Sequence, residues 1–333
     1  MTARDSRTLV HFRFIASLVL CVGNALAGPS TAGAADVAAP SWAYPVSPAP
    51  ASADQAPDAQ GLQSLPGTAV RYTRMQLRDL FSAPDWRPET HPAMPDIVAT
   101  GRRPAVFACA YCHQPTGVGR PENANLTGLS AAYMRRQVAD YRSGLRKCTV
   151  PAMLPQLLMA RETEHATQDE LDAAIDYFAS LPARSMVKVV EADTVPRTRP
   201  GSWMLTAIPD GSREALGARI VELADDAARV DLRDAAASFT AYVPRGSVQA
   251  GRKLAQAGTA APGCESCHGP QLRGQGDAPP IAGRSPTFLV RQLVDFKSGA
   301  RAGQMSAQMR DLVSAMSPSD LIDAAAYAAS LAP

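Results

Sequence analysis

The sequence predicts an all-α protein in which two similar helical lobes, tandem domains of one fold, are joined by a long, partly extended linker. An internal repeat indicates the two lobes, because a five-residue pattern that starts at Cys109 returns at Cys264, 155 residues later. Apolar residues at helical spacing, flanked by capping residues, indicate the helices. A chain of 333 residues is long enough for both lobes. Its net charge of +2 gives no electrostatic case for binding nucleic acid or a strongly anionic membrane.

The N-terminus has the three parts of an export signal over residues 1–27. Arg4, Arg7 and Arg13 give a positive start, an apolar stretch follows, and a small-x-small cleavage site ends at Ala27. The apolar stretch is shorter than the roughly 20 residues that span a bilayer. We therefore expect the signal peptide to be cleaved and the mature protein to be periplasmic, without a stable membrane span.

Residues 28–71 are rich in Ala and Pro and show neither helical nor strand periodicity, so we expect a disordered leader. The rest of the chain divides into lobe one (72–184), an inter-lobe segment (185–245) and lobe two (246–333). Runs of β-branched residues at 186–195 and 218–223 predict short strands within the inter-lobe segment.

The repeat keeps one register through the middle of each lobe. The paired residues are Gly128 and Gly283, Ser130 and Ser285, Gln137 and Gln292, Asp140 and Asp295, Gly144 and Gly299, and Arg146 and Arg301. Near the ends of the lobes the shift becomes 150, since Ala179-Ser180-Leu181 returns as Ala329-Ser330-Leu331. Lobe one therefore contains five extra residues somewhere after Arg146.

Capping residues set the helix boundaries within this register. Ser130 and Ser285 are predicted N-caps of a helix in each lobe, and the glycines at 144 and 299 are expected to end those helices. A last helix is predicted to start at Thr167 in lobe one and at Ser317 in lobe two.

The repeated pattern is Cys-x-x-Cys-His. It reads Cys109-Ala110-Tyr111-Cys112-His113 in lobe one and Cys264-Glu265-Ser266-Cys267-His268 in lobe two. Two thiols one helical turn apart can form thioethers with the two vinyl groups of a porphyrin, and the adjacent imidazole can then reach the iron. The spacing therefore predicts one covalent haem in each lobe.

Two other functions of this pattern were weighed. A zinc site needs a fourth ligand, and lobe two has no Cys or His outside its motif. A redox-active dithiol of the thioredoxin kind needs a strand-helix-strand context, which neither motif has. Both are weaker explanations than haem.

The second axial position of each iron calls for a ligand further along the chain. Met159 and Met309 are partners under the shift of 150, so we predict them as the distal ligands. Counting forward from Gly144 favours Met153 instead, and that alternative stays open for lobe one. His165 aligns with Ala315 under the shift of 150 and is expected to be a surface residue.

These motifs resemble the dihaem class I cytochromes c of the cytochrome c4 type. The likeness covers roughly residues 105–184 and 246–333 and implies two class I cytochrome c folds, two covalently bound haem c groups and no catalytic residue. It implies thioethers at Cys109, Cys112, Cys264 and Cys267, proximal ligands at His113 and His268, and distal ligands at Met159 and Met309. Lobe one departs from the pattern, because Ala124 stands where lobe two has the expected Pro279.

The same resemblance implies a periplasmic electron carrier between a dehydrogenase or membrane respiratory complex and a terminal acceptor or oxidase. The alternatives are a dihaem enzyme of the peroxidase or thiosulfate-oxidising type and a cytochrome subunit of a dehydrogenase complex. Cys148 is left over, as either an inert buried thiol or an intermolecular disulfide former. Arg136, Arg146, Arg291 and Arg301 are candidates for contacts with haem propionates or for solvated positions.

Overall fold

A computed structural model describes residues 39–46, 60–201, 203–256 and 262–333, all within one compact unit, Ala35–Pro333. The predicted signal peptide lies outside the described residues. Within the described ranges, no helix combines the length and the apolar character needed to cross a membrane.

Lobe one is helical around the first Cys-x-x-Cys-His motif. A short antiparallel hairpin precedes its helices, formed by β1 (Leu62–Ser64) and β2 (Arg71–Thr73). The helices are α1 (Arg74–Arg78), α2 (Asp96–Ala99), α3 (Cys109–His113), α4 (Ala131–Arg142), α5 (Leu154–His165) and α6 (Gln168–Ala179), with a 3-10 turn at Pro88–Thr90. Their apolar faces meet in a core that includes Val98, Ile175 and Phe178.

The inter-lobe segment is mostly strand. It contains β3 (Val187–Glu191), β4 (Thr194–Pro196), β5 (Thr198–Pro200), β6 (Leu205–Ala207), β7 (Arg213–Ala215), β8 (Val221–Ala224), α7 (Ala227–Asp231) and β9 (Phe239–Val243). The central sheet has the order β3-β9-β8, with β9 parallel to β3 and antiparallel to β8. Two antiparallel pairs, β4 with β7 and β5 with β6, stand beside it.

The all-α prediction is wrong for the chain as a whole, since 40% of it is helix and 14% is strand in several sheets. The helical prediction followed the repeated lobes, where capping and 3.6-residue periodicity are clear, and the sheets come mainly from the segment between them. β9 alternates buried and half-buried residues along Phe239–Val243, as a strand does when one face packs on a core. The β-branched runs at 186–195 and 218–223 do form strands, β3, β4 and β8.

Lobe two repeats the helical order of lobe one. Its helices are α8 (Ser247–Gln256), α9 (Glu265–His268), α10 (Pro286–Lys297), α11 (Ala307–Ser314) and α12 (Pro318–Ser330), with 3-10 turns at Pro270–Leu272 and Gln304–Ser306. Helix α10 starts and ends 155 residues after α4, so the sequence register is also a structural register.

The predicted caps are confirmed. The Ser130 hydroxyl accepts a hydrogen bond from the Tyr133 amide at 3.1 Å, and Ser285 caps α10 in the same way. Thr167 and Ser317 each form a capping box at the start of the last helix of their lobe. Gly144, at φ +69°, follows α4 in the left-handed conformation that stops a helix.

Two stretches of the expected leader, residues 39–46 and 60–71, contain buried side chains in the structure. Ala43 and Tyr44 are 0% and 4% exposed and lie in an apolar cluster with residues of lobe two. The Tyr44 hydroxyl donates to the Arg291 carbonyl oxygen at 3.2 Å, and the Arg291 guanidinium donates back to Ala43 at 3.0 Å. Average composition predicts disorder for residues 28–71, but one aromatic anchor with a buried partner orders the chain around it.

Candidate haem-binding site

In lobe one, both thiols of the motif are carried by α3, against the apolar core. Cys109 packs at the edge of that core, and its thiol is free, as is that of Cys112. Burial raises the pKa of Cys109 to about 12 and that of Cys112 to about 11. A redox-active dithiol needs a lowered thiol pKa, so these surroundings disfavour thioredoxin-like chemistry.

In lobe two, the two thiols differ in their exposure. Cys264 is half-buried beside the apolar cluster of that lobe, and burial raises its pKa. Cys267 is exposed. Both thiols are free, as thioether formation requires.

The imidazole of each motif is oriented by a backbone carbonyl. Nδ1 of His113 lies 2.9 Å from the Ala124 oxygen, and Nδ1 of His268 lies 2.8 Å from the Pro279 oxygen. A ring that donates through Nδ1 presents Nε2 to a metal. Burial lowers the pKa of both histidines, which favours the neutral ring that a ligand needs.

Ala124 and Pro279 occupy equivalent positions, 11 residues after their histidines. The substitution of Ala for Pro in lobe one therefore leaves the acceptor in place, since the backbone supplies it. Ala124 departs from the sequence pattern, yet its carbonyl oxygen lies within hydrogen-bond distance of the His113 ring, as that of Pro279 does for His268.

A glycine keeps this carbonyl close to the histidine turn. Gly119 has φ +65°, and its amide donates to the His113 carbonyl oxygen at 2.9 Å. A Cβ at this position would lie 2.6 Å from the Ala124 oxygen, closer than atoms can approach. The equivalent Gly274, at φ +89°, donates to the His268 carbonyl at 2.7 Å. Both turns therefore require glycine.

The predicted distal methionines lie on equivalent helices. Met159 is on α5 and Met309 on α11, and both side chains are half-buried. Met153 stands just before α5 and is 1% exposed, packed in an apolar cluster with Val290 and Ile322 of lobe two. Its packing is that of a core residue. His165 is exposed, with Nδ1 2.9 Å from the Arg161 oxygen.

The donor set of each lobe fits a covalent haem. Two free thiols, an imidazole held through Nδ1 and a methionine on the helix before the last one occur in both lobes. Among residues 39–46, 60–201, 203–256 and 262–333, no three His, Cys, Asp or Glu side chains are grouped to hold a metal ion.

Cys148 is a half-buried free thiol at the edge of the cluster that contains Met153. Burial and the carboxylate of Asp295 raise its pKa to about 11, so it is protonated at neutral pH. This environment matches the inert thiol of the two alternatives.

The lobes meet through a polar network with twofold symmetry. Arg146 and Arg301 form an antiparallel backbone bridge, and each guanidinium donates to Gln137 and Gln292, at distances of 2.6–3.1 Å. Arg301 also donates to the Tyr133 hydroxyl at 2.9 Å. These arginines are 9% and 8% exposed, so neither is solvated.

The two cations have no carboxylate partner within this network, and the Arg146 Nε is buried without a hydrogen-bond partner in the described structure. Burial lowers the pKa of His113 and His268, and the positive charges of Arg146 and Arg301 act in the same direction. A buried unpaired donor suits an anionic group, such as a haem propionate. The repeat pairs Gln137 with Gln292 as it pairs the arginines, but the sequence gives no sign that the glutamines join the arginines across the lobes.

No family model matches the chain. The chain is 25% identical over 234 residues to a thiosulfate dehydrogenase electron acceptor from Stutzerimonas stutzeri, covering 69% of this chain and 82% of that protein. It is 30% identical over 132 residues to cytochrome c4 from Azotobacter vinelandii, covering 35% and 63%. It is 37% identical over 94 residues to cytochrome c-554(547) from Halothiobacillus neapolitanus, covering 26% and 98%.

Among solved structures, thiosulfate dehydrogenase from Marichromatium purpuratum aligns with a TM-score of 0.48 and 24% identity, over 69% of this chain and 38% of that one. Cytochrome c4 from Acidithiobacillus ferrooxidans aligns with a TM-score of 0.43 and 19% identity, over 67% and 98%. The sequence relatives and the repeated motif show that the chain belongs to the dihaem class I cytochromes c of the cytochrome c4 type, whose cofactors are two covalently bound haem c groups.

Proposed function

We propose that this dihaem electron-transfer cytochrome is a periplasmic carrier that receives electrons from a dehydrogenase and passes them to a terminal acceptor. The observation that carries the proposal is the equivalence of the two sites. Each lobe has a complete motif, a carbonyl-bound histidine and a methionine in the same register. A methionine in the sixth position leaves no open site for a substrate, which suits a carrier rather than an enzyme.

In this proposal, Cys109 and Cys112 hold the haem of lobe one, and Cys264 and Cys267 hold that of lobe two. His113 and His268 are the proximal ligands, and Met159 and Met309 are the distal ligands. The hydrogen bonds from Nδ1 to the carbonyl oxygens of Ala124 and Pro279 support the two histidines as proximal ligands. The core position of Met153 supports Met159 rather than Met153 as the distal ligand of lobe one.

The haem iron supplies the one-electron redox chemistry, and the chain controls its surroundings. The backbone carbonyls raise the basicity of the imidazoles by accepting a hydrogen bond from Nδ1–H. Buried Arg146 and Arg301 place positive charge between the lobes, which favours the reduced state of both irons. The direct lobe-to-lobe contact keeps the two redox sites within one compact unit.

The donor that we propose is a thiosulfate dehydrogenase. The support is the relative from Stutzerimonas stutzeri, which is called the electron acceptor of that enzyme. The predicted signal peptide supports the periplasmic location.

The test follows haem reduction optically after oxidised holoprotein is mixed with thiosulfate. We expect reduction only when a purified thiosulfate dehydrogenase is added in catalytic amount. Reduction by thiosulfate alone would favour the enzyme alternative. Failure of the added dehydrogenase to reduce the haems would reject this donor. Carbon monoxide added to the reduced protein is a second check, because two methionine-ligated irons should not bind it promptly.

A further inference from the structure

The inter-lobe segment covers the attachment motif of lobe one. The guanidinium carbon of Arg233 lies 3.6 Å from the centroid of the Tyr111 ring, which stands between the two cysteines of the motif. The same guanidinium donates to the Tyr111 carbonyl oxygen. Arg233 therefore lies directly over α3, close to Cys112.

The residues around Arg233 are tied to lobe one. Asp234 is 1% exposed, and its carboxylate accepts from Arg87 and from Arg229, both at 2.7 Å. The Leu232 carbonyl accepts from the Trp86 indole at 2.7 Å. Partly buried ion pairs and a partly buried indole hydrogen bond flank Arg233 and hold it against lobe one.

Among the described residues, the equivalent surface of lobe two has no such cover. Ser266 replaces Tyr111 in the repeat, and both Ser266 and Cys267 are exposed. The Ser266 hydroxyl bonds only within its own turn, to the Gly263 oxygen at 2.6 Å and to the Cys267 sulfur at 3.8 Å. In the part of the chain that the structure describes, no hydrogen bond, ion pair or ring contact joins residues 185–245 to 264–268.

This difference bears on electron exchange because the thioether sulfur of each cysteine is bonded to the haem edge. Electron tunnelling weakens steeply as the distance between two redox groups grows. A partner protein that docks over an exposed cysteine sulfur therefore comes closer to the haem than one that docks over Arg233.

The segment of lobe two that includes its motif carries more basic than acidic residues. Residues 247–273 contain Arg252, Lys253 and Arg273 against a single acid, Glu265. All three cations are exposed. Helix α8, which carries Arg252, packs against α9, the helix of the motif. Arg273 directly precedes Gly274, whose amide donates to the His268 carbonyl.

We propose that partner proteins dock at lobe two to exchange electrons, and that the docking surface of the partner is acidic. The inter-lobe segment shields lobe one from such contact. The inference rests on the proposed carrier function. Charge complementarity would steer an acidic partner to this face and make association depend on salt.

The first test uses holoprotein in which intact mass has confirmed two haems, so that a failure of the cofactor assignment is recognised beforehand. Oxidation of the reduced protein by hexacyanoferrate(III), an anionic probe, is measured by stopped flow at low salt. The double variant Arg252→Glu/Arg273→Glu should lower the bimolecular rate constant by at least about threefold, and the effect should vanish at high salt.

The matched control changes two exposed arginines on the lobe-one side. Arg74 is the first residue of α1, and Arg71 lies three residues before it. The Leu77 carbonyl oxygen of that helix accepts a hydrogen bond from the Tyr111 hydroxyl at 3.4 Å. Arg71→Glu/Arg74→Glu should change the rate constant much less. An equal or larger loss in this control would overturn the proposal.

A second readout does not depend on electron transfer. The anionic relaxation agent hexacyanochromate(III) should broaden the amide NMR signals of Gly269 and Arg273 in the reduced protein, and leave those of Ala110 and Tyr111 sharp. Arg233→Ala should make the Ala110 and Tyr111 signals sensitive to the agent. Broadening at Ala110 and Tyr111 in the unmodified protein would show that lobe one is open and would reject the shield.

Discussion

Two methionines only six positions apart should give opposite signatures when each is replaced by Ala. Met153 is 1% exposed among apolar side chains, so Met153→Ala leaves a cavity in the core. Removal of a fully buried Met side chain costs about 3 kcal/mol, which lowers Tm by roughly 5 °C in a compact unit of about 300 residues. The haem of lobe one should keep its ligands.

Met159→Ala should do the reverse. Its side chain is half-buried, so less packing is lost, but the sixth ligand of the lobe-one iron disappears. The weak near-infrared sulfur-to-iron charge-transfer band should fall by about half, because one of two equivalent haems loses its thioether ligand. The reduced protein should then bind carbon monoxide at one haem.

The two variants are compared by thermal unfolding, by the near-infrared spectrum of the oxidised protein and by carbon monoxide titration of the reduced protein. Met309→Ala is the matched control, because Met309 has the same place on α11 and should reproduce the Met159 result in lobe two. Carbon monoxide binding by Met153→Ala, with an unchanged spectrum for Met159→Ala, would refute the assignment.

Three further predictions test the cofactor count, the histidine turn and a buried acid. Mature protein should show an intact mass increased by two haems that survive denaturation, and an increment of one haem would contradict the repeat argument. Gly119→Ala should raise the midpoint potential of one haem in a redox titration, because the new methyl group displaces the Ala124 carbonyl that holds His113. Gly211→Ala is its control, with φ +73° and no atom within 4 Å of the added Cβ, and should leave both potentials unchanged. Burial raises the pKa of Glu222 above its ordinary value of 4.5, so its contribution to stability is present below that value and is lost as pH rises through the folded-state pKa. Between about pH 4 and pH 7, the free energy of unfolding should therefore fall less for Glu222→Gln than for the unmodified protein. An identical pH dependence of the two proteins in chemical denaturation would disprove this reasoning.

Local chemistry explains why the lobes could be predicted so fully from the sequence. A serine or threonine cap, an apolar stripe and a terminating glycine act within a few residues of one another. Ser130 and Thr167 cap their helices, and Gly144 follows the end of α4, as the local sequence predicts. The repeat then doubled every such signal. The proposed haem-binding residues were predicted without tertiary information, because the geometry of a porphyrin calls for the Cys-x-x-Cys-His spacing.

The sheets and the lobe contacts depend on partners far along the chain. β3 pairs with β9, about 50 residues away, and no local pattern states that pairing. Glu222 of β8 accepts hydrogen bonds from Ser285 and Thr287 at the start of α10, at 2.7 and 2.6 Å. Such contacts become visible only when both partners are placed, which is why the inter-lobe segment was expected to be a linker.

The roles of Ala124 and Arg233 were hidden for a different reason. Ala124 acts through its carbonyl oxygen, which every residue has, so its identity carries no signal. Arg233 acts by lying over Tyr111, and a single arginine in a segment without a motif has no feature that distinguishes it from a solvated one.

The twofold network between the lobes has the form of an isologous interface, the kind that two identical subunits make when the same patch faces itself. Arg146 reaches Gln292 just as Arg301 reaches Gln137. Because both patches belong to one chain, their association is intramolecular and does not weaken when the protein is diluted. Covalent linkage also frees the copies from identity, so one side can change alone. Arg284 shows this, since it is buried and donates to the Thr127 carbonyl across the interface at 2.7 Å, whereas the equivalent position in lobe one is Leu129.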